Sequence, residues 1–206
     1  MRIIKWERWK EDKDFLEVYA EIRGITLLSE DRCYALYLLS LETQNIEGDV
    51  AEVGVFRGGS ARLLARMNSN KKVHLFDTFS GILFSEPDID FHHKGDFARK
   101  SLHQEVSIRM ADFSNVVIHE GTFPLTGDEV SNERFSLVHL DVDVYRTTLD
   151  CLLFFYERMS SNGVIVLDDY KWRACPGVEK AITEFLNNKT EEVVTFAPLQ
   201  AVIIKD

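Results

Sequence analysis

The chain has 206 residues, of which 45% are hydrophobic and 28% are charged, which is enough to build one central sheet covered by helices. Its net charge of −10 at pH 7 argues against nucleic acid or an anionic membrane as the main partner, because both attract basic surfaces. The three cysteines form no CxxC pair and predict reduced thiols in the cytoplasm: Cys33, Cys151 and Cys175.

Residues 1–48 are predicted to form a helical segment in front of the first strand, within one domain that covers residues 1–206. No signal-peptide pattern and no apolar run of membrane-spanning length is expected. Ser29 is a favourable N-cap with acidic residues after it, and it predicts a helix to about residue 44. Four aromatic residues have the loose spacing of an amphipathic helix: Trp6, Trp9, Phe15 and Tyr19. We interpret them as packing against the domain or against a second copy in a homo-oligomer, with a lid over the substrate as the alternative.

A strand, a glycine-rich turn and a helix follow this segment. Residues 50–55 predict the strand, Gly58 begins a glycine pair in the turn, and residues 61–67 predict the helix. Backbone in such a turn can approach a ligand closely. The second strand, residues 72–76, ends at Asp77, where an acidic residue is well placed to bind the two hydroxyls of a ribose. Together these features favour a nucleoside-type cofactor, although the glycines do not match GxGxxG.

A long loop follows the second strand and contains adjacent histidines. It runs from Phe79 to about residue 97, and connections of this length in a compact domain are often functional. His92 and His93 are candidate bases or metal ligands. Because adjacent side chains point in different directions, we interpret the pair chiefly as solvent-facing. A helix is expected over residues 97–110.

The rest of the chain alternates strands with helices and then ends in two successive strands. The expected elements are strands at 116–120, 135–141 and 164–168, helices at 147–159 and 178–186, and strands at 193–196 and 201–204. The last two strands have no helix between them and predict an antiparallel pair. The predicted fold is therefore α/β: a doubly wound, Rossmann-like sheet of seven strands, mostly parallel, with an antiparallel C-terminal edge.

Four aspartates follow two of the predicted strands at the point where each strand ends. Asp141 and Asp143 follow the fourth strand, and Asp168 and Asp169 follow the fifth. Ligands of an open parallel sheet bind beyond the carboxyl ends of its strands, so these side chains would share one crevice. Four carboxylates repel one another unless a cation neutralises them, and oxygen ligands suit Mg²⁺ or Ca²⁺. The alternative is that each is an ordinary strand-end or N-cap aspartate.

Five short motifs follow one another along the chain: EVGVFRGGS at 52–60, FDTFSG at 76–81, HHKGDF at 92–97, HLDVDVY at 139–145 and DDY at 168–170. In order and spacing they resemble the macrocin O-methyltransferase family, which belongs to the class I S-adenosylmethionine-dependent methyltransferases. The resemblance covers residue 25 to the C-terminus. It implies methyl transfer from S-adenosylmethionine to a sugar hydroxyl of a glycosylated natural product or polysaccharide precursor, with Mg²⁺ as the second cofactor.

The resemblance also implies a role for individual residues. The general base would be Asp143, with His92 and His93 as the alternatives. The metal ligands would be Asp141, Asp168 and Asp169. The cofactor-binding residues would be Glu52, Gly54, Arg57, Gly58, Ser60, Asp77, Thr78, Ser80, Gly121 and Asp141.

Three other functions remain open at this point. A catechol-type O-methyltransferase would use similar metal chemistry on a planar diol, and the N-terminal aromatic residues are compatible with the narrow slot that such a substrate favours. A nucleotide-binding dehydrogenase is disfavoured by the missing GxGxxG and by the aspartate cluster. A non-catalytic S-adenosylmethionine-binding domain is compatible with the fold, because the site and not the fold determines function.

Overall fold

The computed structural model describes residues 8–206, so the predicted packing of Trp6 lies outside the described residues. After a short 3₁₀ turn at Arg8–Lys10, the N-terminal segment forms two helices, α1 (Lys13–Ile22) and α2 (Glu30–Glu42). The predicted helix after Ser29 is confirmed to within two residues.

The aromatic residues of the N-terminal segment pack inward. Phe15 is fully buried, and its ring contacts Tyr19, Tyr34 and Tyr37 at centroid distances of 4.9–5.5 Å. Trp9 packs, partly buried, against the same core. These rings therefore pack against the protein itself, which is one of the interpretations expected from the sequence.

Seven strands form one sheet in the order β3-β2-β1-β4-β5-β7-β6. The five strands from β3 to β5 are parallel, whereas β7 is antiparallel to both β5 and β6. Their bounds are β1 Asp49–Val53, β2 Val73–Asp77, β3 Val116–Glu120, β4 Phe135–Leu140, β5 Met159–Asp168, β6 Val194–Ala197 and β7 Gln200–Ile204. The predicted doubly wound fold and its antiparallel C-terminal edge are confirmed.

Helices cover both faces of the sheet, which explains why the central strands are continuous apolar runs. The remaining helices are α3 (Gly59–Met67), α4 (Leu102–Met110), α5 (Tyr145–Tyr156) and α6 (Pro176–Leu186). One apolar cluster joins α1 to α4 with one face of the sheet, and a second joins α5 and α6 with the other face. All six residues of β4 are buried, so the end of this strand is held rigidly where the aspartates begin.

Two predicted helix boundaries are wrong. Helix α4 begins at Leu102 and not at residue 97, because Phe97 and Ser101 both have φ of +63°, a conformation that no α-helix contains. Helix α5 ends at Tyr156, three residues before the predicted end. Met159 instead pairs with Phe135 and begins β5.

Across residues 8–206, no helix is both long enough and apolar enough to cross a membrane.

Candidate active site

A cavity of about 250 Å³ opens at the carboxyl ends of the parallel strands. It is lined by the turn between β1 and α3, by the end of β2, by the residues after β4 and β5, and by residues 25–28 of the N-terminal segment. This is the position at which ligands bind in open α/β sheets. Among the residues that the sequence singled out, its lining includes Gly54, Asp77, Asp141, Asp143 and Asp169 but not Asp168.

The β1–α3 turn brings the backbone close to the cavity. Gly54 has φ of +90°, and a Cβ at this position would lie 1.9 Å from the carbonyl oxygen of Asp141, so only glycine fits between the ends of β1 and β4. Gly54, Arg57 and Ser60 line the cavity. Gly58 does not line it; with φ of +78° it caps the N-terminus of α3 instead.

Asp77, at the end of β2, binds the turn as well as facing the cavity. Its Oδ2 accepts hydrogen bonds from the backbone N–H groups of Val55 and Phe56, both at 2.8 Å, and its Oδ1 accepts one from Phe79 at 2.7 Å. An ionised carboxylate has about four acceptor positions, so one remains for a ligand. Asp77 therefore holds the cradle in shape and faces into it.

The other predicted cofactor residues differ in their exposure to the cavity. Thr78 and Gly121 line it, and the Gly121 amide donates to the carbonyl of Asp77 at 2.9 Å. Ser80 is exposed and does not line it; its amide donates to the Thr78 hydroxyl at 3.1 Å. The structure therefore separates lining residues from residues that shape the turn.

The predicted cofactor contact of Glu52 is corrected by the structure, because this side chain is fully buried on one face of the sheet and does not line the cavity. Its Oε1 accepts a hydrogen bond from Nδ1 of His139 at 2.8 Å, and its Oε2 has no hydrogen-bond partner within residues 8–206. The sequence motif placed Glu52 beside the cofactor, but side chains alternate along a strand. Glu52 therefore points to the same face of the sheet as its register partner His139 on β4.

The four predicted aspartates do come together. Carboxylate oxygens of Asp141, Asp143 and Asp169 lie within 4.8 Å of one another, and Asp141 and Asp168 form a second such group with His139. Burial, followed by repulsion from the neighbouring carboxylates, raises the pKa of Asp141 well above its usual range. The same causes raise the pKa of Asp169 to about 7, and burial raises the pKa of Asp143.

Asp168 behaves differently because it has basic partners. Burial alone would raise its pKa, but His139 and Arg32 hold this pKa below its usual range. Arg32, on α2, bridges two aspartates: its Nη1 lies 2.9 Å from Oδ1 of Asp168 and 3.1 Å from Oδ1 of Asp169. Gln200 donates to Oδ2 of Asp168 at 3.0 Å. Sequence reasoning missed Arg32, His139 and Gln200 as partners.

Backbone strain is concentrated around the same cavity. Asp143 and Asp169 have φ of +63° and +61°, and Phe56 and Phe79, in the turns after β1 and β2, have φ of +46° and +49°. Such conformations are unfavourable for residues with a Cβ and persist only where the surrounding structure enforces them. The turn after β4 thereby aims Asp143 at the cavity, with the Cys175 thiol 3.5 Å from its Oδ1.

The long loop separates the two adjacent histidines. Asp90 anchors the loop, because its Oδ1 accepts a hydrogen bond at 2.9 Å from the amide of Tyr145, the first residue of α5. His92 then lies with Nε2 4.0 Å from Oδ1 of Asp143, while its Nδ1 contacts Asp96 at 3.1 Å. His93 is exposed and contributes its backbone amide to Asp96. His92 is thus brought to the site and His93 is not.

Comparison with known proteins places this geometry in a family. The model of the macrocin-O-methyltransferase (TylF) family matches residues 24–202. Demethyldecarbamoylnovobiocin O-methyltransferase of Streptomyces niveus is 25% identical over 160 residues, which are 68% of this chain and 59% of that protein. Mycinamicin III 3''-O-methyltransferase of Micromonospora griseorubida is 32% identical over 152 residues, which are 63% of this chain and 58% of that protein. The chain therefore spans less than two thirds of the length of these relatives.

Solved structures show the same fold. The O-methyltransferase NovP superposes with a TM-score of 0.68 at 22% identity, covering 88% of this chain and 82% of that one. The calicheamicin methyltransferase CalS11 also gives 0.68, at 17% identity, covering 94% of this chain and 93% of that one. The class I methyltransferase fold expected from the sequence is confirmed by these neighbours.

Proposed function

Because this chain belongs to the macrocin-O-methyltransferase family, we propose that it transfers a methyl group from S-adenosylmethionine to a sugar hydroxyl, with Mg²⁺ as the second cofactor. The acceptor would be a glycosylated natural product or a polysaccharide precursor. One observation carries the proposal: a single cavity contains both the β1–α3 turn and Asp141, Asp143 and Asp169. A donor held by the turn would face a hydroxyl held by the aspartates, and such alignment is the main contribution of a protein to methyl transfer.

The donor-binding half of the cavity fits a nucleoside cofactor. Asp77 retains an acceptor position for ribose hydroxyls, as argued above. Gly54 leaves the backbone accessible at the end of β1, and Ser60 lies in the first turn of α3. Arg57 lines the same wall, and its buried Nε has no hydrogen-bond partner among the described residues. These features support a polar ligand on this wall.

The aspartate half fits a hard divalent cation. Asp141 belongs to both groups of converging carboxylates, so an ion beside it is within reach of Asp168 and Asp169. Burial is the largest cause of the raised pKa values of Asp141 and Asp169, and repulsion between the carboxylates, which a cation would relieve, is the next. We therefore propose Asp141, Asp168 and Asp169 as the Mg²⁺ ligands. When bound, the sulfonium supplies an electrophilic methyl carbon and Mg²⁺ lowers the cost of an alkoxide.

Asp143 is the residue proposed to take the proton of the acceptor hydroxyl. Burial raises its pKa, which makes this carboxylate a stronger base than a solvated aspartate. The oxygen then forms the new bond to the methyl carbon, and the electrons of the broken carbon–sulfur bond remain on sulfur. His92 is the alternative base, since its buried Nε2 has no hydrogen-bond partner in the described part of the chain and lies 4.0 Å from Oδ1 of Asp143.

The mouth of the cavity supports an acceptor with an apolar body next to its sugar. Phe84, Leu27 and Trp172 line the cavity and are 70%, 64% and 41% exposed. Relatives named for novobiocin and mycinamicin intermediates suggest glycosides of this kind. An apolar aglycone would cover these side chains.

Methyl transfer from isotopically labelled S-adenosylmethionine to a panel of acceptors would test the proposal. The panel should include glycosides with apolar aglycones, nucleotide sugars and catechols, each with Mg²⁺ and with EDTA. We expect labelled sugar methyl ethers with Mg²⁺, loss of product in EDTA, and recovery when Mg²⁺ is restored. Labelled catechols without labelled sugars, or full activity in EDTA, would contradict the proposal.

A further inference from the structure

A row of buried polar side chains crosses the sheet beneath the aspartates. Glu52 on β1, His139 on β4, Asp168 at the end of β5 and Gln200 on β7 are each no more than 2% exposed. His139 uses both ring nitrogens, with Nδ1 against Glu52 at 2.8 Å and Nε2 against Oδ2 of Asp168. Neither His139 nor Gln200 belongs to the proposed cofactor-binding, metal-binding or base residues.

The row determines which oxygen of Asp168 is free. Oδ2 accepts from His139 and from Gln200, so both of its acceptor positions are occupied. Among residues 8–206, Oδ1 accepts only from Arg32, and the same Arg32 nitrogen contacts Oδ1 of Asp169. Within this part of the chain, the unused acceptor position of Asp168 is therefore on Oδ1, the oxygen on the side of Asp169.

We propose that His139 and Gln200 are positioning residues that hold Oδ2 of Asp168 and thereby leave Oδ1 as the oxygen presented to the divalent cation. This inference rests on the proposed function, because it requires Asp168 to be a metal ligand. Hydrogen-bond partners behind a metal ligand orient it, and their loss typically weakens metal binding by about 10–100-fold.

Loss of the positive charge on His139 acts on cation affinity in the opposite direction, and the experiment has to separate it from loss of the hydrogen bond. A protonated His139 carries positive charge close to the proposed ion, and its removal would strengthen cation binding if charge repulsion dominated. Gln200 is uncharged and donates to the same oxygen, so its removal tests the hydrogen bond alone. A glutamine at position 139 keeps an N–H donor without the charge, whereas a leucine keeps neither.

Titration of the full chain with Mn²⁺, followed by electron paramagnetic resonance, measures cation affinity without turnover. We expect His139→Leu to bind Mn²⁺ about 10–100-fold more weakly and His139→Gln to recover most of the loss. Gln200→Leu should shift affinity in the same direction by a smaller factor, and it carries the test if His139→Leu does not fold. Affinity for S-adenosylhomocysteine should stay unchanged in each folded variant.

Two control variants make the result decisive. His74→Leu removes another buried sheet histidine that contacts a carboxylate, and it should leave Mn²⁺ affinity unchanged. Asp168→Asn should lose Mn²⁺ binding. Unchanged or tighter binding in Gln200→Leu and in folded His139→Leu, with Asp168→Asn defective, would overturn the positioning role and leave the proposed function intact. Absence of Mn²⁺ binding by the unaltered protein would overturn both.

Discussion

Buried histidines lie in two places of the same sheet, and their surroundings differ. His139 sits between Glu52 and Asp168, which are both buried. Burial alone would lower the pKa of His139, but the hydrogen bonds to Asp168 and Glu52 raise it to about 10. This histidine is therefore a fixed cation at neutral pH.

His74, on β2, is buried with a weaker set of partners. Its Nε2 contacts Asp49 at 3.1 Å, but the Asp49 side chain is 20% exposed, and its Nδ1 faces the ring of His119 at 3.0 Å. Burial lowers the pKa of His74 more than Asp49 raises it. The two histidines therefore differ in pKa because His139 has two buried carboxylate partners, whereas His74 has one partly exposed partner.

The largest expected effect is a loss of turnover on substitution of Asp143, in the aspartate group of the cavity. We expect Asp143→Asn to fold, to bind Mn²⁺ and S-adenosylhomocysteine, and to turn over about 10² to 10⁴ times more slowly, because it lacks the proposed base. Single-turnover methyl transfer measures this rate. His74→Gln, at the buried histidine on β2, should keep the rate of the unaltered protein.

Near-normal turnover by Asp143→Asn would contradict its role and point to His92. The adjacent histidines then supply a matched pair, since His92 lies 4.0 Å from Asp143 and His93 is exposed. His92→Gln should be slow in that case, and His93→Gln should not.

The next effect concerns stability and compares His139 with His74 directly. His139→Leu leaves two buried carboxylates without their shared cation, and breaking such a pair costs about 3–5 kcal/mol in the free energy of unfolding. His74→Leu removes a neutral ring beside a partly exposed aspartate, and we expect a loss of about 1–2 kcal/mol. Urea unfolding of both variants measures the difference. Equal losses would mean that His139 is not the cation that its partners imply.

The sequence was sufficient for the fold and for the grouping of the aspartates. Apolar runs ending in Asp141 and Asp168 indicate neighbouring strand ends, because the carboxyl ends of parallel strands meet at one edge. It was insufficient for Arg32, which reaches Asp168 from 136 positions away through the packing of α2. Nothing in the local sequence around Arg32 reports that contact.

Side-chain direction explains the other differences. Glu52 and His139 belong to motifs that the sequence connects with the cavity, yet both are register partners buried on one face of the sheet, because register and alternation decide which face a side chain occupies. The late start of α4 has a different cause, which is backbone conformation. Residues 97 and 101 adopt positive φ, although their residue types do not require it.

A smaller effect separates two positions on the single strand β2. Asp77 lies at its carboxyl end and His74 lies within it. We expect Asp77→Asn to weaken S-adenosylhomocysteine binding by about 1–3 kcal/mol, the usual loss for a hydrogen bond to a charged group, whereas His74→Gln should not change it. Calorimetry measures both. Asparagine is preferable to alanine, which would remove all three amide contacts of the turn, and unchanged affinity in folded Asp77→Asn would contradict the ribose assignment.

The smallest effect is a loss of stability at low pH that comes from His74, whose pKa is lowered, and not from His139, whose pKa is raised. The folded-state pKa of His74 lies below the unfolded value of about 6.5, so the unfolded chain binds this proton first as pH falls. Stability from His74 is therefore complete above about pH 6.5 and is lost as pH falls below it, with a slope of at most about 1.4 kcal/mol per pH unit for one proton.

Carboxylates of the candidate site also titrate, so the measurement has to be the difference in stability between the unaltered protein and His74→Gln at each pH. The groups that face His74 are Asp49, His119 and Lys72, with Glu129 behind His119, and all of them remain in His74→Gln. Urea unfolding from pH 7.5 to pH 5 should show the stability advantage of the unaltered protein over this variant shrinking as pH falls. If the advantage instead grew toward pH 5, His74 would be protonated in the folded state, and the contrast with His139 would not hold.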